Sequence, residues 1–182
     1  MAVVDTIYTD FKDAAGVLSA SNEVSLQIML DSNLRKTLLL SAASYFEYTL
    51  SREVSDFTQE VTGGNDLIGA LVKTKAIARQ YHSWFDWEKP NANKFFSMFG
   101  QAFKDHMAER LATDEELAEG VRAFMELGRE RNLLVHSDYA SYLINKTPEE
   151  IYALYHRASI FVNRVGIEFR ACTAAAAADL KK

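Results

Sequence analysis

Leu40, Ala43, Glu47, Leu50, Val54, Phe57 and Val61 step along the chain by three or four residues until Gly63-Gly64 interrupts them. That spacing is one face of an α-helix and fits no strand. It predicts a long helix opening at Ser32 or Asn33 and stopping at the two glycines. Only two prolines and eight glycines occur in 182 residues, so breaks are few and long helices are favoured. Helical spacing also predicts an N-terminal helix around residues 3–17 and a helix from Asp66 through Leu67, Leu71, Ala78 and Tyr81. Phe95, Phe96, Phe99 and Phe103 mark a further one. Thr113-Asp114-Glu115-Glu116 reads as a capping box, with Thr113 accepting from the backbone and Glu116 reaching back. Thr147-Pro148-Glu149-Glu150 opens the last helix, with proline at its first position and acids in its first turn. The expectation is an all-α bundle of about five or six helices, forming one domain over residues 1–173. An alanine-rich tail, residues 174–182, is expected to fray.

The remaining composition narrows the function classes. Cys172 is the only cysteine, so no intrachain disulfide is possible. The first residues carry Asp5 and Asp10 and no basic cluster, unlike a signal peptide, and no window approaches the ~20 apolar residues of a membrane span. A cytoplasmic protein is expected. The net charge is −5, whereas proteins that hold nucleic acid by bulk electrostatics are usually basic. Any RNA contact must then come from a local basic cleft. His82, His106 and His156 are scattered without metal-ligand spacing. There is no glycine-rich phosphate loop and no nucleophile elbow. No metal and no cofactor is expected.

One stretch stands apart: "RERNLLVHSDY", Arg129 to Tyr139. The core stripe of its helix runs Leu117, Val121, Phe124, Gly128, Arg131, Val135. Arg131 therefore falls where the pattern calls for a core residue, and an arginine is rarely buried there without a partner. Asn132 follows on the same inward side. His136 is five residues on, about 140° away around a regular helix. Both face one site only if the helix ends or distorts near His136, or if two chains share the site across a twofold axis. The plainer reading is that arginine and histidine near a helix C-terminus satisfy its last carbonyls and dipole. Glu47 interrupts its own apolar stripe as Arg131 does, either as a boundary glutamate or as a partner of the Arg131 fork.

Arg131-Asn132-x-x-x-His136, on the penultimate long helix of a small bundle, resembles the HEPN superfamily. "LLLSAASYFEYTLSREV", Leu38 to Val54, and the more distinctive "WFDWEKPNANKFFSMFG", Trp84 to Gly100, resemble its RiboL-PSP-HEPN group. The resemblance implies a bundle with two long antiparallel helices at its centre, usually dimeric. It also implies a metal-independent endoribonuclease in which two Arg-x-x-x-x-His motifs meet across the dimer, with Arg131, His136 and Asn132 catalytic. A toxin, antiphage or RNA-processing role would follow, with RNA as substrate and a cognate antitoxin or RNA-repair protein as partner. Some HEPN domains are non-catalytic scaffolds that bind RNA or a partner protein. There is one departure. Relatives controlled by AMPylation often carry tyrosine two residues after the histidine, whereas here Ser137 and Asp138 intervene and Tyr139 comes third.

The residue types suit RNA cleavage. The 2′-OH is a built-in nucleophile, histidine moves protons near neutral pH, and the arginine fork matches phosphate oxygens. Trp84, Phe85, Trp87 and the phenylalanines favour core packing over base stacking. Lys89, Asn93 and Lys94 are better placed for an exposed edge near substrate, and Arg129 on the solvent side could reach phosphate.

Overall fold

A computed structural model describes residues 3–179, the last three by backbone alone; residues 180–182 of the expected tail lie outside the described residues. The described residues form helices joined by turns and loops, with no strand among them. The elements are α1 (Val3–Ala20), α2 (Val24–Val61), α3 (Asp66–Val72), a π-helical turn (Lys73–Ile77), α4 (Tyr81–Trp84), α5 (Asn93–Ser97), α6 (Gln101–Thr113), α7 (Glu115–His136) and α8 (Pro148–Asp179). No helix among the described residues is long and apolar enough to cross a membrane.

Four boundaries differ from the sequence expectation. The long helix α2 begins at Val24, well before Ser32, and runs 38 residues. Val24, Leu26, Ile28 and Met29 are exposed, so its first turns carry no core stripe to read. The helix expected from Asp66 to Tyr81 breaks. It passes into the π-turn, which ends at Ile77, and the chain then turns through Arg79, whose φ is +61°. The turn lets the Trp84 indole donate to the carbonyl of Ala76 at 2.8 Å. Gly100, at φ +92°, splits the phenylalanine helix into α5 and α6, a conformation glycine adopts freely. The cap of α7 is Asp114, whose carboxylate accepts from the Leu117 amide at 3.0 Å, while the Thr113 hydroxyl donates back to Glu109. The start of α8 falls at Pro148 as read, and a capping box that the reading did not name closes it: the Glu150 amide donates to the Thr147 hydroxyl at 3.2 Å, and the Thr147 amide donates to Glu150 at 2.7 Å.

The Asp114 carboxyl is held below the usual carboxylate range by the Leu117 amide and by Arg164 and Arg110, against the opposing effect of burial. A depressed native pKa adds stability above the unfolded value near ~4, and that stability is lost as pH falls through the native value. Asp114→Ala should therefore lower the melting temperature at pH 7 and narrow the difference at strongly acid pH. Thr113→Ala should melt like wild type. Calorimetry across pH checks both, and a Thr113→Ala loss equal to that of Asp114→Ala would restore Thr113 as the cap.

The core explains the order of packing. Ala158, Phe161, Val162 and Val165 of α8 have no exposed surface, nor do Leu38, Ala42 and Leu50 of α2. Each such large side chain contributes roughly 1.5–3 kcal/mol of burial. Phe46 stacks on Tyr155, and Phe57 on Phe169, so α2 and α8 run parallel. Gly120 packs against the backbone at Phe161 while Arg164 reaches Asp114, so α7 runs antiparallel to α8. Phe46 also meets Phe124, which lays α7 along α2. The aromatic block fills this junction: Trp84, Phe85, Phe95 and Phe96 are buried.

Candidate functional site

Arg131 stands on α7 above Phe124, Leu127 and Gly128, where its stripe meets α2 and the Trp84–Trp87 segment. These elements enclose a narrow recess lined by Glu47, Tyr81, His82, Trp87, Gly128, Arg131 and Asn132, among others. Glycine is required at 128. A Cβ there would lie 2.0 Å from the Trp87 ring, so the indole rests directly on the α7 backbone. Trp87 is pinned in turn by its Nε1, which donates to the His82 carbonyl at 3.1 Å.

Arg131 is half-buried. Its Nη1 donates to Asn132 Oδ1 at 3.2 Å and faces His82 Nδ1 at 3.5 Å. Glu47 reaches the same recess from α2, but no ion pair among the described residues joins it to the fork. The Tyr81 hydroxyl senses both groups. Burial drives its pKa far up, the Glu47 charge pushes the same way, and Arg131 opposes them. The recess therefore sets the half-buried Arg131 and Glu47 side chains around a buried phenol, with His82 exposed at its edge.

His136 is not in this recess. It is the last residue of α7, which stays helical to its end, and Ser137 then turns extended. A regular helix puts it about 140° around from Arg131. The ring is exposed, flanked by exposed Leu133 and Val135, with Tyr139 and Leu143 exposed in the following loop. One chain thus presents Arg131 and Asn132 on one face and His136 on another.

The remaining residues singled out in the sequence lie beyond Trp87, which walls both the recess and a groove lined by Lys89, Arg122, Arg129, Glu130 and Lys146. Arg129 is exposed there. Lys89 pairs with Asp86 at 3.0 Å and holds that carboxyl below its usual range. Asn93 and Lys94 line a neighbouring hollow that Lys89 and Asp86 share. The other histidines bind carboxylates: His106 meets Glu168 at 2.7 Å, and His156 lies 3.5 Å from Asp5. Among the described residues, no cluster of three or more His, Cys, Asp or Glu is arranged to hold a metal ion.

Two residues escaped the sequence reading. Lys36, only 6% exposed, donates to the carbonyls of Tyr139 at 2.6 Å and Ala140 at 3.3 Å, and lies 4.9 Å from the Tyr139 ring centre. It ties the segment after His136 down onto α2. Its signal was a lysine between the buried Leu34 and the buried pair Leu38-Leu39. The other is His82. It belongs to a 19-residue stretch, residues 67–85, that holds Lys73, Lys75 and Arg79 and no aspartate or glutamate, in a chain of net charge −5.

The sequence model of the family described as RiboL-PSP-HEPN matches residues 5–169. Neither curated proteins nor solved structures gave a match to the chain.

Proposed function

The chain belongs to the RiboL-PSP-HEPN family, and from that premise we propose that it is a metal-independent endoribonuclease with a composite Arg/His site shared by two copies. The observation that carries the reading is the charged fork of Arg131 held on the core side of α7, beside Asn132, while His136 stands exposed on another face of the same helix. A twofold partner reconciles the two, since it brings a second His136 toward the first chain's arginine. The exposed Leu133, Val135, Tyr139 and Leu143 around His136 are the surface such a partner would cover.

In this reading Arg131 binds the scissile phosphate through its planar fork and stabilises the charge that builds on it, with Asn132 orienting the fork. His136 moves a proton at the 2′-oxygen or the leaving 5′-oxygen. Glu47 offsets charge within the recess. Arg129, Lys89, Asn93 and Lys94 line the path of the flanking strand. The cellular setting that fits is a toxin, antiphage or RNA-processing system, with an antitoxin or RNA-repair protein as partner.

Incubation of the purified protein with single-stranded RNA in excess EDTA tests the chemistry. The expected products end in 2′,3′-cyclic phosphate and 5′-hydroxyl, and DNA of the same sequence stays intact. Cleavage that needs a divalent metal would overturn the mechanism. Light scattering at micromolar concentration should give the mass of a dimer, and a monomer that still cuts would remove the shared site.

A further inference from the structure

His82 is the histidine that one chain places beside Arg131. Arginine can only donate, so in the contact between Arg131 Nη1 and His82 Nδ1 the Nδ1 must be the acceptor. That contact is a hydrogen bond in the tautomer with hydrogen on Nε2, whose Nδ1 lone pair faces the guanidinium. The His82 carbonyl accepts from the Trp87 indole, and its exposed ring, edge-on to Tyr81, turns Nδ1 toward Arg131 at the mouth of the recess. The titratable groups that share the recess are Glu47 on α2, Tyr81 on its own helix and Arg131 on α7.

We propose that His82 is a second proton-transfer residue of this site, the general base that takes the 2′-OH proton from a ribose whose phosphate Arg131 holds. The proposal rests on the ribonuclease reading above. When a phosphate takes the Arg131 fork, His82 Nδ1 loses its donor and becomes the unprotonated nitrogen nearest the substrate. The 2′-hydroxyl proton passes to Nδ1, the 2′-oxygen bonds to phosphorus, and the P–O5′ bond breaks. The 5′-oxygen takes its proton from the imidazolium of the second copy's His136. Proton and electron pairs balance, and no co-reactant is needed. The imidazolium formed on His82 lies next to Arg131, and the Glu47 carboxylate in the same recess offsets that second positive charge. This division gives each histidine one proton transfer.

The test uses His82→Ala in the full chain, with RNA and with an uncleavable 2′-deoxy-substituted oligonucleotide. The expected result is a fall in kcat of at least ~100-fold. KM, oligonucleotide affinity and melting temperature should stay unchanged, added imidazole should restore part of the rate, and the acidic limb of the pH–rate profile should disappear. Wild-type cleavage with an unaffected His82→Ala overturns this proposal alone. So does a fall in kcat that imidazole does not restore while the acidic limb persists, or a loss of affinity matching the loss of rate. A wild-type protein that cuts no RNA overturns both this proposal and the ribonuclease reading.

Discussion

His136→Ala is expected to fold and dimerise like the wild-type protein and to lose RNA cleavage by at least ~100-fold, as removal of a general acid–base group does. The two halves of that expectation have separate causes. His136 is exposed at the very end of α7, so truncating its ring opens no cavity in the core. The loss of rate follows from histidine being the side chain that exchanges protons near neutral pH. A substrate with a single 2′-deoxy at the scissile position should resist both proteins, because the nucleophile is missing. Gel-based cleavage assays and light scattering on the same preparations check it. A His136→Ala protein that cuts RNA at the wild-type rate would show that this ring moves no proton. Wild-type protein that cuts nothing, together with His136→Ala that binds the same partners, would leave a scaffold.

Gly128→Ala should be the most damaging of the small core changes. Its Cβ would lie 2.0 Å from one Trp87 ring carbon and 2.4 Å from another. Overpacking of this kind costs about 1–3 kcal/mol, which lowers the melting temperature by roughly 2–12 °C for a chain of this size. Trp87 would have to leave the α7 backbone, opening the wall between the Arg131 recess and the Arg129 groove, so cleavage should fall with stability. Gly16→Ala is the control. Nothing lies within 4 Å of a Cβ at that mid-helix glycine, so the change should leave stability unchanged or raise it by about 0.5–1 kcal/mol. Thermal melts of the two variants side by side decide it. Gly128→Ala melting with wild type would mean the indole does not rest on α7.

The all-α class and the run of α7 toward His136 were legible because helical periodicity is a local property, whereas the stripe read on α2 was right only in part: Leu50 and Val54 are buried, but Leu38, Ala42 and Phe46 share that core face and Val61 is exposed. A residue's face follows from its neighbours three and four positions away. The same arithmetic put Arg131 on the core side of α7 and His136 on another, which the undistorted helix bears out. Ends were less legible. The exposed first turns of α2 offer no stripe, and the breaks at Arg79 and Gly100 arise where the chain must fold back to bury Trp84, Phe95 and Phe96. Two neighbouring side chains, Thr113 and Asp114, both suited the cap, and Asp114 won because Arg110 and Arg164 also reach it. Membership of the site itself was not readable from spacing. His82 comes to Arg131 across 49 positions, and Lys36 to the segment after His136 across more than a hundred. The sequence by itself determined the helical class and most of the segments that form helices, and it put Arg131 and His136 on different faces of α7, although Val135, read on the core stripe, is exposed and Leu134 is buried. Only the tertiary packing, which lays Trp87 on Gly128 and draws α4 to α7, decided which charged groups share one recess.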